Sequence, residues 1–373
     1  RIHGEKWFCS NIGGDITLMT ARIEGAGEGT RGLGLFLVPL RNEDGSPNGY
    51  RVWRLKDKIG TRSMASGEIN LEGAKAYHMG PVSEGFRNMM RYVIHSSRIY
   101  NALSSVGGMR RATITAWTYA QHRQAFGNPI GNYPLVQEVL ADMRSDTAAV
   151  RATCFHLLKI QDELERGFGG DESEQAAQRM AVNLNKTMAA RLAHNVCNQG
   201  IEVLGGNGAI ESFSVLPRLL RDNIVSENWE GTHNTLFLQF LRDAKSRNMD
   251  RPLYARISKL FASIETSGNA FLEKLSREGQ AAAQLEQSAC EAMKDMPLEL
   301  ATLEAKTRCD QACFLLYAAC LGHEASFSLS KEREDAQDAL NLTQHFWDRH
   351  LGSSPYRNTP GYLERLGAIA ARC

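Results

Sequence analysis

Apolar and polar side chains alternate through the first eighty residues of the chain. The segments DITLMTARI and GLGLFLVPL show this two-residue period most clearly, and glycine-rich turns separate the alternating segments. Successive side chains of a β-strand point to opposite faces, so this period predicts strands with one buried face. We therefore predict a β-domain over residues 1–82.

The apolar pattern changes to a helical period after Ser83. Four long stretches follow. The first two end at about residues 124 and 166, the third runs from about 175 to 204, and the fourth runs from 235 to 247. A glycine- and acid-rich loop and a GGNG break separate them, and a short segment at 216–221 precedes the last. Long amphipathic segments with short connections predict an antiparallel four-helix bundle, which we place at 83–250.

Residues 251–373 follow an Arg-Pro pair and carry apolar side chains at helical spacing again. They predict a helical extension that buries its apolar stripes against the bundle, in the same chain or across a two-fold axis. The clearest of these stripes consists of Leu300, Leu303, Cys313, Leu316 and Cys320.

Composition narrows the class of protein. The 373 residues carry a formal net charge of +1, which gives no general electrostatic bias toward nucleic acid or an acidic membrane. No run of eighteen apolar residues occurs, so we expect no transmembrane segment. The eight cysteines lack CxxC spacing, which is typical of reduced core thiols, and Cys309 and Cys313 have no partners for a metal site. We expect a cytoplasmic protein, or a mitochondrial matrix protein if the source is eukaryotic, with no metal.

The segment SENWEGTHNTL places Glu230 between the indole of Trp229 and a Gly-Thr pair, where a helix is predicted to begin. One interpretation is structural: an acid beside a helix N-terminus, with Thr232 as the N-cap. The other is functional: Trp229 and the helix start desolvate the carboxyl, raise its pKa and prepare a base for proton abstraction. Glu230 alone does not decide between them.

Three further motifs have ordinary explanations when taken singly. EKWFCSN is an aromatic strand end, QHRQAFGNPI is a helix C-terminus before a proline, and EVLGGNGA is a helix stop followed by a loop. The GGNG loop also exposes backbone amides that a diphosphate can approach. It does not join a strand to a helix, so it is not the dinucleotide-binding fingerprint.

Taken together, the motifs resemble the acyl-CoA dehydrogenase flavoprotein family. GEKWFCSN, GLFLVPL, KIGTRSMASGEI, HRQAFGNPI, VLGGNGAI, LRDN and WEGT follow one another in the family's order and spacing over residues 3–247. The nearest branch includes the DNA-alkylation-response flavoproteins. The resemblance implies an α+β, mostly α fold: a partial middle β-domain, a four-helix bundle and a helical extension, with the family's N-terminal helical domain absent from this chain.

The resemblance also implies a reaction, the FAD-dependent α,β-dehydrogenation of an acyl-CoA thioester. Glu230 matches the base that abstracts the α-proton while a hydride passes to flavin N5. The family's alternative base position falls on Ser97, which cannot serve. Arg98 and Gly231 match the substrate side. The positions that match cofactor contacts are Phe8, Ser10, Arg123, Phe126, Gln137, Gly205, Gly206, Thr232 and Asn234.

Three positions depart from the family pattern: Glu202 replaces a glutamine, Ala209 an aromatic residue and His95 an acid. Two rival functions remain, a DNA-binding alkylation-response flavoprotein and an acyl-CoA oxidase. Acids and bases nearly balance in 251–373, which disfavours a DNA-binding tail. The resemblance implies a homodimer or homotetramer and an electron-transfer flavoprotein as acceptor.

Overall fold

The computed structural model describes residues 1–168, 170–352 and 355–373. Its Cα packing forms two compact units, Arg1–Ser97 and Arg98–Cys373. Helices predominate in the second unit and strands in the first, so the predicted α+β, mostly α class is confirmed.

The first unit contains two antiparallel three-stranded sheets. Their orders are β1-β5-β4 and β2-β3-β6, and every pairing is antiparallel. The strands are β1 Ile2–Cys9, β2 Ile16–Arg22, β3 Leu33–Pro39, β4 Tyr50–Leu55, β5 Gly67–Ala74 and β6 Tyr77–Met79. A short helix, α1 Gly85–Asn88, and a π-helical turn, Met89–Ile94, follow. The core of this unit consists of Ile2, Cys9, Val38, Ile69, Leu71 and Ala74.

Five helices form the bundle part of the second unit. They are α2 His95–His122, α3 Pro134–Glu165, α4 Glu172–Leu204, α5 Leu216–Asn228 and α6 His233–Arg247. A short hairpin joins α2 to α3. Its strands, β7 Gln124–Ala125 and β8 Asn128–Pro129, have two residues each. The segment predicted at 216–221 is a full helix, α5, which packs on α4 and leads directly to Glu230.

The extension is part of the same compact unit as the bundle. Its helices are α7 Asp250–Ala262, α8 Ala270–Lys294, α9 Leu298–Ser330, α10 Ala336–His350 and α11 Tyr362–Ala370. Helix α9 packs against α3, α4 and α6, while α10 and α11 pack against α3. The boundary predicted near residue 250 therefore falls at a turn, where Asn248 adopts a left-handed conformation, and not at a gap in the packing.

Helix α9 is the central helix of the extension. Cys313, Leu316 and Cys320 are buried, as predicted, whereas Leu300 and Leu303 are 56% and 72% exposed in this chain, so their burial across a two-fold axis stays a prediction. Their exposure follows from the phase of the helix: Ala301, Ala305 and Cys309 occupy the buried face instead.

The sequence predicts no transmembrane segment, and the structure adds one observation about helix length and composition. Within the described ranges, one helix, α9, is long and apolar enough to cross a bilayer. However, 72% of its most apolar window is buried against other parts of this structure. A core helix of a compact domain passes the same test.

Candidate active site

The α5–α6 joint, defined as residues 229–232, presents Glu230 in an unusual backbone conformation. Helix α5 ends at Asn228, and Glu230 then adopts φ 58°, followed by Gly231 at φ 105°. A side chain other than glycine is strained in this left-handed region. Thr232 is the N-cap residue of α6, but its hydroxyl contacts Thr235 Oγ1 at 3.0 Å and caps no backbone amide. The simple capping interpretation therefore does not describe this joint.

Arg98 holds the backbone carbonyl of Glu230. Its guanidinium is buried, and Nε and Nη2 donate to Glu230 O at 3.2 and 3.0 Å. Nη1 donates to Asn183 Oδ1 on α4 at 2.5 Å. Burial lowers the pKa of Arg98 to about 10, although Glu230 opposes this shift. The side chain predicted to lie on the substrate side thus fixes the joint, and its contact with substrate stays a prediction.

Lys186 holds the joint from helix α4. Its side chain is fully buried, and Nζ donates to Glu227 O at 3.0 Å and to Gly231 O at 2.9 Å. Burial, together with the nearby charge of Arg98, lowers the pKa of Lys186 to about 8. Two buried cations therefore bind the backbone around Glu230.

The carboxyl group of Glu230 is half-buried beside these two cations. Burial raises the pKa of Glu230, while Arg98 and Lys186 act in the opposite direction, and the net shift is upward. Desolvation disfavours the charged form of a carboxyl, so the carboxylate binds a proton more readily than in water. A carboxylate in this state is suited to act as a general base.

Glu227, one turn earlier, has the opposite character. Its oxygens lie 2.9 Å from His194 Nδ1 and 3.1 Å from His233 Nε2. Burial alone would raise the pKa of Glu227, but the hydrogen bonds from His233 and His194 outweigh burial and lower it. Two carboxyls whose environments move their pKa values apart are typical of sites that divide acid–base roles. Here Glu227 ties α5 to α4 and α6, and Glu230 is left as the basic group.

Arg123 and Phe126 lie in the β7–β8 hairpin. The Tyr133 hydroxyl donates to Ala125 O at 2.9 Å and to Phe126 O at 3.0 Å, which fixes the turn. Phe126 adopts φ 52°, and its side chain is 95% exposed. The guanidinium of Arg123 is exposed and makes no hydrogen bond or ion pair with any residue that the structure describes. Both side chains are therefore available to a ligand.

The turn after α4 lies near that hairpin. Asn207 Nδ2 donates to the Tyr119 hydroxyl at 3.1 Å, and the Arg123 amide donates to Tyr119 O at 2.8 Å. Gly205 has φ 59°, and open space surrounds the positions where a Cβ would stand on Gly205 and Gly206. The structure thus brings the GGNG turn to the end of α2 that precedes Arg123.

The remaining predicted cofactor positions lie at element ends. Gln137 is in the first turn of α3, and Thr232 and Asn234 are exposed at the start of α6. Phe8 and Ser10 are exposed at the end of β1 in the first unit, where Lys56 Nζ lies 4.6 Å from the centre of the Phe8 ring. Glu202, the predicted departure near the GGNG turn, is exposed on the last turn of α4.

The polar residues that hold the joint carry no recognisable signal in the sequence. Asn183, Lys186 and His194 all lie on α4, some forty residues before Glu230. Nothing in their local sequence distinguishes them from surface positions of an amphipathic helix. One feature of the sequence does point to this site. Glu227 and His233 lie on either side of Glu230, so two more titratable groups flank the joint.

Fold and site together define a helical-bundle protein with a desolvated carboxylate at a helix joint, and comparison with known proteins identifies its family. Residues 83–244 match the family model described as "Acyl-CoA dehydrogenase, C-terminal domain". The chain is 35% identical over 286 residues to acyl-CoA dehydrogenase family member 11 of Caenorhabditis elegans, covering 75% of this chain and 45% of that protein. It is 33% identical over 271 residues to the putative acyl-CoA dehydrogenase AidB of Escherichia coli K12, covering 73% and 47%.

A solved structure shares the fold across nearly the whole chain. The Caenorhabditis elegans protein ACDH-11 in complex with C11-CoA has a TM-score of 0.84 and 29% identity, covering 98% of this chain and 62% of that one. The chain belongs to the acyl-CoA dehydrogenase family, as the motifs predicted. It spans about half the length of the curated relatives it matches.

Proposed function

We propose that this chain carries the active-site base of an FAD-dependent acyl-CoA dehydrogenase, and that Glu230 is that base. The supporting observation is the state of Glu230: a half-buried carboxyl with a raised pKa, presented in a left-handed conformation by buried cations. Family membership supplies the reaction class, and the C11-CoA complex of ACDH-11 supports an acyl-CoA thioester as the substrate.

The reaction begins with removal of a weakly acidic proton from the α-carbon of the thioester. A desolvated carboxylate takes such a proton more readily than an exposed one, and Glu230 has this environment. The Glu230 carbonyl is held by Arg98, whereas its amide makes no hydrogen bond within the part of the chain that the structure describes. That amide can donate to the thioester oxygen and stabilise the developing enolate.

FAD supplies the acceptor for the hydride that leaves the β-carbon. The residues present fit its diphosphate and adenosine: Arg123 has no partner in the described chain, Phe126 is free for contact, and the Gly205-Gly206 backbone is unobstructed. Gln137 would complete that part of the site, and Thr232 and Asn234 would contact the cofactor beyond the base. For Phe8 and Ser10, in the first unit, a flavin contact stays a prediction from the motifs.

Glu230→Gln tests the proposal. The amide keeps the shape and hydrogen-bonding capacity of the carboxyl but cannot accept the proton, so flavin content is retained while anaerobic bleaching by acyl-CoA is lost. General-base catalysis typically contributes about a hundred- to ten-thousand-fold. Glu211→Gln is the matched control, because Glu211 is an exposed acid paired with Arg221 outside the joint. A loss of less than tenfold for Glu230→Gln would exclude Glu230 as the base.

The same experiment addresses the rival functions. Rapid re-oxidation of the bleached flavin by air would indicate an oxidase, and slow re-oxidation a dehydrogenase that passes electrons to an electron-transfer flavoprotein. A DNA-binding role is not favoured, because basic residues of the extension such as Arg308 and Arg349 are engaged by acids. A homodimer or homotetramer, in the cytoplasm or mitochondrial matrix, completes the proposal.

A further inference from the structure

Lys186 occupies a position at which a lysine needs an explanation. Its side chain has no solvent exposure, in the middle of a helix whose neighbouring positions are also buried. A buried ammonium is costly unless it is paired and hydrogen-bonded. The charged groups that affect it are Arg98 from α2, Glu227 from α5 and Glu230 from the joint, and Glu227 is itself bonded to His194 and His233.

The ammonium connects two backbone carbonyls that accept from no other side chain in the described part of the protein. Glu227 O belongs to the last turn of α5, where carbonyls lack intrahelical partners and the helix dipole favours a cation. Gly231 O lies beyond the left-handed residue. One side chain therefore joins the end of α5 to the far side of Glu230, and the three intervening residues, 228–230, form a closed turn.

Arg98 complements this arrangement at the centre of the turn. It holds the carbonyl of Glu230 itself, whereas Lys186 holds the carbonyls on either side. With three carbonyls fixed, the Glu230 backbone cannot relax to a more common conformation without breaking contacts with buried cations. The direction in which its carboxyl leaves the chain is thereby determined.

We infer that Lys186 is a positioning residue for the base: it fixes both ends of the turn that presents Glu230 and supplies a positive charge beside its carboxylate. This inference rests on the proposed function, because it assigns Lys186 to the reaction of Glu230. It does not make Lys186 a catalytic residue, since Lys186 acts through Glu230.

Substituting Lys186 separates positioning from charge. Lys186→Met removes both donors and charge, Lys186→Gln keeps an amide donor without charge, and Lys186→Arg keeps the charge. Lys159→Met is the control, because Lys159 is exposed on α3 and pairs with Glu163. All variants are made in the full chain, and their rates of flavin reduction are compared at equal flavin content.

The first readout is the titration of Glu230 in the flavin-free protein. It is followed by the infrared band of the protonated carboxyl and assigned by subtracting the Glu230→Gln spectrum. An opposite charge within a few ångströms lowers a carboxyl pKa by about 1 to 3 units, so the midpoint should rise by about one unit in Lys186→Met and Lys186→Gln. It should stay at the wild-type value in Lys186→Arg and in the control.

The second readout is the rate of flavin reduction by acyl-CoA as a function of pH. We expect Lys186→Met to slow reduction at least tenfold at pH 7, and its acid limb to move upward by the shift seen in the infrared titration. Lys186→Gln should recover more of the rate at higher pH, because it retains a donor for the joint.

The outcomes separate this inference from the proposed function. If Lys186→Met, or Lys186→Gln should the methionine variant not fold, keeps the wild-type rate and an unchanged Glu230 midpoint, the inference is wrong while Glu230 can still be the base. If Glu230→Gln itself reduces flavin normally, the proposed function is wrong, and an infrared shift would then show only that Lys186 and Glu230 interact.

Discussion

Replacing Asp146 should weaken the attachment of the extension to the bundle and destabilise the fold, because Asp146 is the buried member of an acidic row on α3. Acids of α3 occur at four-residue intervals on the face that meets the last two helices of the chain. The pairs are Glu138 with Arg357, Asp142 with His345, and Asp146 with Arg349 and His350. The side chain of Asp146 is 1% exposed. The extension is thus joined to α3 by charge as well as by apolar packing.

The magnitude follows from the contacts of Asp146. Its two oxygens accept from Arg349 Nη1 and Nη2 at 3.1 and 2.8 Å, and one also lies 3.1 Å from His350 Nε2. Asp146→Ala removes the closer of two carboxylates and leaves the Arg349 guanidinium with Asp142 at 3.5 Å and the Ser145 hydroxyl at 3.3 Å. Removing one partner of a buried pair costs about 3 to 5 kcal/mol, so we expect the free energy of unfolding to fall by that amount.

Urea unfolding at pH 7, followed by circular dichroism, measures this change. Asp335→Ala is the control: Asp335 pairs with Arg333 at the surface, where solvent screens the pair and its loss should hardly change the stability. The double variant Asp146→Ala/Arg349→Met should lose less than the sum of the single losses, by about 0.5 to 3 kcal/mol, because the two residues interact directly. A loss below 1 kcal/mol for Asp146→Ala, or strict additivity, would refute the argument.

The pH dependence has a definite sign. Although burial alone would raise it, the charges of Arg349 and His350 hold the pKa of Asp146 well below its ordinary value. A carboxyl with a depressed folded-state pKa stabilises the fold above its unfolded-state pKa of about 3.9 and loses this contribution as pH falls further. The stability difference between wild type and Asp146→Ala should therefore shrink as the pH falls below about 4.

Two further predictions concern the cofactor and the extension. Arg123→Ala should weaken FAD binding by about 1.5 to 3 kcal/mol, the contribution of a charge-assisted hydrogen bond, with little change in the unfolding midpoint; unchanged flavin affinity would mean that the diphosphate lies elsewhere. Deleting residues 251–373 should cause aggregation or a changed oligomer, because the faces of α3, α4 and α6 that pack on α9 would become exposed. A soluble truncated protein of native mass per particle, lacking only salt-sensitive DNA binding, would favour the alkylation-response function.

The sequence was sufficient for the elements and insufficient for their contacts. Periodicity located the strands and the long helices because each of these elements buries one face. The buried face produces a regular pattern of apolar residues within the element's own sequence. Periodicity missed α5 beyond residue 221 because Asp222, Asn223 and Asn228 interrupt the apolar stripe of that helix. In the structure, Asn223 is buried and donates to Ala190 O at 2.8 Å, a tertiary contact that no local pattern contains.

The same limit applies to the extension. In the sequence, Leu300 and Leu303 are read as a continuation of the stripe of Cys313 and Leu316. Only the packing shows that small residues such as Ala301 and Ala305 form the buried face at that end. At this end of α9 the buried face carries alanines and the exposed face carries leucines, so the buried face is the less hydrophobic of the two in sequence. At this end of α9, hydrophobicity alone therefore does not predict which face of the helix is buried.

The candidate base shows why a site is harder to predict than a fold. From the sequence, Trp229 and a helix start were expected to raise the pKa of Glu230. The structure adds two cations that lower it, and the upward shift survives because burial outweighs them. The cations have a separate purpose, since Arg98 and Lys186 hold the backbone of a residue in a strained conformation. A base at this joint needs burial, which raises its pKa, and buried hydrogen-bond donors, which fix the direction of its side chain. Only the burial can be predicted from the adjacent residues, because the donors come from distant parts of the sequence.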